Sequence, residues 1–176
     1  CLVSILPGMA QTEKLIDYVN PFVGTDGYGN VYPGAQIPFG GIQMSPDTDS
    51  KFYDAASGYK YNHSTLLGFS LTHLSGTGIP DLGDFLFIPG TGEMKLDPGT
   101  REDPEKGYRS RYSHEKEWAS PNYYAVELTD YGVKAEMTSG TRSGMFRFTY
   151  PQSDKAFIMI DMNHTLWQSC EWANLR

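Results

Sequence analysis

Three segments in the second half of the chain constrain the fold most. In "YYAVEL" the residues Tyr124, Val126 and Leu128 fall on one face, and "VKAEMT" places Val133, Ala135 and Met137 likewise. "MFRFTY" sets Phe146, Phe148 and Tyr150 opposite Arg147 and Thr149. A period of two with one apolar side is what a half-buried strand requires. The "TDYG" between the first two segments is hairpin chemistry. "AFIMI" (156–160) is apolar on both faces, as a central strand would be, and "DFLFIPG" and "GEMKLD" read as two more strands around a Pro-Gly-Thr-Gly turn. Strands spaced by about ten residues and bounded by turns predict an antiparallel β-sandwich or barrel. No helical pattern alternates with them, which disfavours a doubly wound α/β fold.

The first half is harder to assign. "TEKLIDYVNPF" (12–22) suits one or two helical turns, with Thr12 as cap and Pro21 as stop. Helix and strand compete for "STLLGFSLTHL", and periodicity does not separate them. "NPFVGTDGYGNVYPGAQIPFG" (20–40) and "HLSGTGIPDLGD" (73–84) carry too much Gly and Pro for regular elements and are read as shaped loops. The opening run "CLVSILPGMAQT" has an apolar core followed by small residues, so 1–10 are read as the remnant of a secretory signal peptide. The two cysteines, Cys1 and Cys170, are not expected to pair. No other stretch approaches the roughly 20 apolar residues of a membrane span.

Charge narrows the function. Lys and Arg number 14 against 21 acidic residues, a net charge of −7, and form no basic run, so nucleic acid is excluded as a partner. "GTDGYGN" lacks the Gly-Lys-Ser/Thr ending of a phosphate loop, and "GFSLT" lacks the second glycine of a hydrolase nucleophile elbow. His73 with Asp81 and Asp84 offers one nitrogen and two oxygens to a metal; the alternative is a loop in which aspartates accept from glycine N–H groups. Asn62-His63-Ser64 and Asn163-His164-Thr165 match the short glycosylation pattern. A glycosidase needs two carboxylates set across a sugar. Asp26, Asp47, Asp54, Asp81 and Asp84 are candidates that sequence alone does not pair.

Taken together, "VNPFVGTDGYGNVYPGAQIPFGGIQMSPDT", "SGYKYNHSTLLGFSLTHLSGTGIPDLGDFLFIPGTG" and, more loosely, "KAFIMIDMNHTL" closely resemble the N-terminal region of glycoside hydrolase family 92. The resemblance implies a mainly β fold, an antiparallel β-sandwich that is incomplete at its C-terminal end over residues 11–176. It packs, in such enzymes, on a larger (α/α)6 catalytic domain that is not part of these residues. It further implies a secreted, calcium-dependent, inverting exo-α-mannosidase acting on mannose-containing glycans. Calcium, general acid and general base are expected in the helical domain, with no catalytic or metal residue in this stretch. The Gly-rich loops then become a rim facing the catalytic domain. On that rim Tyr59 is matched to the family's aromatic substrate contact, and Asp26, Asn30, His73 and Asp81 are the other candidates for sugar hydroxyls, His73 and Asp81 also for holding the loop. A stand-alone carbohydrate-binding β-sandwich module is the alternative.

Overall fold

The computed structural model describes residues 14–50, 53–167 and 170–174. The strands are β1 (Ser45–Asp47), β2 (Thr65–Leu66), β3 (Gly68–Ser70), β4 (Thr72–His73), β5 (Leu82–Gly83), β6 (Leu86–Thr91), β7 (Ser110–Arg111), β8 (Glu117–Ser120), β9 (Tyr123–Leu128), β10 (Val133–Ser139), β11 (Gly144–Thr149) and β12 (Ala156–Asp161). One four-stranded sheet runs β1-β3-β6-β12 and the other β11-β10-β9-β8, while β2-β7 and β4-β5 form two-stranded pairs. All the pairings are antiparallel.

The β9–β10–β11 meander follows from its alternation. Register pairs Met137 with Tyr124 and Phe146, and Ala135 with Val126 and Phe148, so one face collects the apolar side chains. Tyr124 and Val126 are fully buried and Leu128 nearly so. Burying each such aliphatic side chain contributes about 1.5–3 kcal/mol. The opposing sheet supplies Phe69 and Phe87, whose rings lie 6.3 and 5.1 Å from that of Phe146. That shared layer makes the molecule a β-sandwich. The "TDYG" hairpin forms as its chemistry demands, with Gly132 at φ 63° donating to the Leu128 carbonyl at 2.8 Å.

Several expectations change. "STLLGFSLTHL" resolves into three short strands, β2, β3 and β4. "GEMKLD" forms no strand; β6 instead runs on through Pro89 and Gly90 to Thr91, because β12 pairs along its whole length. β12 is an edge rather than a central strand, and Ile158 and Ile160 are exposed, so its two apolar faces reflect an uncovered side. A 3-10 helix covers Leu15–Tyr18 with Lys14 as its N-cap residue and no side-chain cap bond. Thr12, Cys1 and the signal-like run 1–10 lie outside the described residues. Among the described residues no helix is long and apolar enough to cross a membrane.

Candidate functional site

Strand alternation places Phe69 in the sandwich core, so its neighbour Ser70 points to the outer face of the sheet. Asp47, near it on the adjacent strand β1, joins Ser70 there. Asp47 has no exposure to solvent. An unpaired carboxylate there would cost several kcal/mol, on the order of the effective penalty for a buried ion. Three donors prevent that. Ser70 donates its hydroxyl to Oδ2 at 2.6 Å, His164 Nε2 donates to Oδ2 at 2.6 Å, and His73 Nε2 donates to Oδ1 at 2.7 Å. Burial alone would raise the Asp47 pKa. The charge and hydrogen bonds of His73 and His164 outweigh it and hold the carboxyl well below the usual carboxylate range.

A fourth segment makes room for this carboxylate. Gly58, of "SGYKY", has φ +83°, and a Cβ there would sit 2.1 Å from Asp47 Oδ1. Only glycine allows both that backbone and that approach. His73 is held on its other side too, since Nδ1 donates to the Gln43 carbonyl at 2.6 Å, and its ring packs 5.1 Å from Tyr32. Both ring nitrogens are therefore committed within the protein.

The β4-β5 pair carries the loop 74–81, and its tip meets the other Gly-rich loop: Gly76 donates its N–H to the Asn30 carbonyl at 2.7 Å. Asn30 is half-buried, at φ 51°, with its amide donating to the Tyr28 carbonyl at 3.1 Å. Asp26 is exposed and accepts from the Gly27 N–H. It borders an open cleft shared with Tyr28, Asp54, Lys60 and Asn62. A second cleft of about 390 Å³ is bordered by Asp49, Arg101, Arg109, Asp161, Asn163 and His164. The Gly-rich rim and the second cleft together thus present amides, carboxylates and guanidinium groups, the set that hydrogen-bonds polyols.

The candidate residues do not all reach that rim. Asn30 and the loop after His73 come together, and Asp26 is accessible beside them on the same Gly-rich segment. Asp81 is half-buried and accepts from the Leu82 N–H at 2.8 Å, and Asp84 accepts from the Thr72 hydroxyl at 2.6 Å, so both brace the loop. Tyr59 lies inside. It is 1% exposed, and its hydroxyl donates to Glu117 Oε1 at 2.9 Å. Tyr124 donates to the same oxygen at 2.5 Å and His114 Nδ1 to Oε2 at 2.5 Å. Burial, with Tyr112 and Glu117 close by, pushes the Tyr59 hydroxyl far above its ordinary pKa. No face of that ring is open to a sugar, so the expected stacking contact is corrected to a supporting one. His73 likewise has no free donor for a hydroxyl.

Among the described residues, no group of three or more His, Cys, Asp or Glu is arranged to hold a metal ion. His73, Asp81 and Asp84 are therefore not grouped as metal ligands. Glu117, Ser70 and Gly58 went unread in the sequence. Asp47 was one carboxylate among five, and His164 lies 117 residues from it, a separation no local pattern signals.

Comparison with known proteins assigns the chain to a class. The model of the glycosyl hydrolase family 92 N-terminal domain matches residues 18–176, and the chain belongs to that family. A family GH92 α-mannosidase of known structure from Bacteroides thetaiotaomicron is 91% identical over 91% of this chain, with a TM-score of 0.89, and the match covers 22% of its own length. A family GH92 inverting mannosidase from Bacteroides thetaiotaomicron VPI-5482 is 27% identical over 85% of the chain, at a TM-score of 0.67, and 20% of its length is covered. An uncharacterised secreted glycosidase of Arthroderma benhamiae is 30% identical over 147 residues, which are 82% of this chain and 19% of that protein. The chain thus spans about a fifth of the length of these relatives.

Proposed function

We propose that this chain is the N-terminal β-sandwich domain of a larger, exported exo-α-mannosidase and forms one side of its substrate pocket. The carrying observation is the 91% identity to a GH92 α-mannosidase of which the chain covers only 22%. Mannose-containing glycans are the substrate, and the (α/α)6 domain of the longer protein is the packing partner. The acid, the base and the calcium site belong to that domain. Inversion is supported by the relative described as an inverting mannosidase, and export by the secreted fungal relative. On this reading Asp26 and Asn30 face the sugar, while Tyr59, His73 and Asp81 hold the surfaces behind them.

The test is hydrolysis by the full-length protein. It should release mannose from an α-mannoside, β-mannose should be the first anomer seen by NMR, and a calcium chelator should abolish turnover. No release of mannose would overturn the reading. Release of α-mannose first would overturn inversion alone, and activity unaffected by chelation would overturn calcium dependence.

A further inference from the structure

We propose that Asp47 is the positioning residue of the substrate rim: its carboxylate anchors both legs of the loop 74–81 and so sets where that loop holds Asn30 toward the sugar. This rests on the functional reading above. The first leg, β4, ends in His73, which donates directly to Asp47 Oδ1. The second leg, β5, is tied indirectly. Leu166 donates its N–H to the Leu82 carbonyl at 2.8 Å, Gly83 bridges Thr165, and two residues before Leu166 His164 donates to Asp47 Oδ2. One buried carboxylate therefore closes the base of the loop from both sides.

The second leg needs such an anchor. Leu82, Asp84 and Phe85 have φ values of 69°, 45° and 50°, in the left-handed region that side chains with a Cβ disfavour. Backbone in that region persists only where its surroundings over-determine it. The chemistry of the hub points the same way. A buried ion pair is weak evidence for stability, since an apolar replacement of like volume is often neutral or better. What Asp47 supplies that an apolar side chain does not is direction. Its two oxygens aim His73 and His164 at once, and Gly58 is kept bare to admit it. The loop so fixed reaches Asn30 through Gly76, which brings the anchored segment to the accessible part of the rim.

The experiment compares full-length wild type, Asp47→Asn and His164→Gln, assayed well below each melting temperature. It follows α-mannoside hydrolysis and amide hydrogen exchange of residues 74–81. Asparagine keeps the shape but turns one acceptor into a donor that faces donors. Asp47→Asn should lose on the order of tenfold or more in kcat/KM, as misplaced binding groups do. The loss should fall mainly in KM, because the loop positions Asn30 without supplying acid or base, and exchange in 74–81 should quicken. His164→Gln should show the same split more weakly. If Asp47→Asn does not fold, His164→Gln carries the test, since it leaves the His73 and Ser70 bonds in place. Folded variants with wild-type KM, or a loss confined to kcat, would overturn the proposal, and so would unchanged exchange in 74–81. A wild-type protein without mannosidase activity overturns the functional reading instead, and the exchange rates then decide the anchoring by themselves.

Discussion

Glu117 shows how one side chain redirects the reading of another. Its buried carboxylate takes hydroxyls from Tyr59 and Tyr124 and an N–H from His114, so the aromatic that follows Gly58 is drawn inward. Tyr59→Phe keeps the ring and removes one donor from that carboxylate. It should lower stability by about 1–3 kcal/mol, the cost of stripping a partner from a buried polar group. The melting temperature of the full-length protein reads this, and an unchanged value would show that the bond contributes nothing. Two glycines separate sterics from backbone strain. Gly76 has φ +73° with open space around it, so Gly76→Ala should cost about 1–2 kcal/mol for the left-handed backbone alone. Gly58→Ala should cost distinctly more, because its methyl must also displace Asp47. Equal costs in denaturant unfolding would contradict the packing described here. Glu136 carries a pH signature. Hydrogen bonds from Arg147 above all, then Tyr123, lower its pKa to about 2. Its folded value lies below the unfolded one, so its contribution is present above about pH 4.3 and is lost as pH falls toward the folded value. The melting-temperature gap between wild type and Glu136→Gln should therefore hold at neutral pH and shrink between about pH 4 and 2. A gap independent of pH would refute the assignment.

At the scale of elements, the meander β9–β10–β11 was legible in advance because one face of each strand is buried and a slip of one residue would expose the whole apolar set. β12 was legible as a strand and misread in place. Ile158 and Ile160 pair with Pro89 and Phe87, which puts them on the same side of the sheet as the core residue Phe69. Yet they are 51% and 41% exposed, since the second sheet does not reach over them. Exposed apolar side chains on an edge strand favour edge-to-edge association. The isolated chain should therefore self-associate, and Ile158→Thr with Ile160→Thr should reduce that without unfolding it. Size-exclusion chromatography with light scattering checks this. Equal association by both proteins would place the sticky surface elsewhere. "GEMKLD" failed as a strand for a related reason: apolar and polar residues alternate there, but among the described residues no strand pairs with it.

At the scale of the whole molecule, two buried carboxylates stitch distant segments together. Asp47 joins β1, β3, the end of β4 and the segment after β12, while Glu117 joins β8, β9, the loop 59–61 and the turn at His114. The rim is a tertiary product, not a motif. If the acid and base lie in another domain, the isolated chain should release no mannose from an α-mannoside, with or without calcium, because a single inverting step needs both groups and the water between them. Calcium-dependent turnover by the isolated chain would overturn that placement.

Sequence alone determined the strand type and buried face of residues 123–150, the shaped character of the two Gly-rich loops and the family. Each of these is written in local periodicity, in turn residues that tolerate positive φ, or in the order of whole motifs. Tertiary structure decided the rest. It turned Tyr59 inward and placed β12 at an edge. It also selected Asp47 from five equivalent-looking aspartates by surrounding it with Ser70, His73 and His164. The reason is physical: a side chain's burial and hydrogen-bond partners depend on which segments arrive beside it in space. Asp47 and His164, 117 residues apart, meet because the sheet β1-β3-β6-β12 brings β1 and the segment after β12 into one structure.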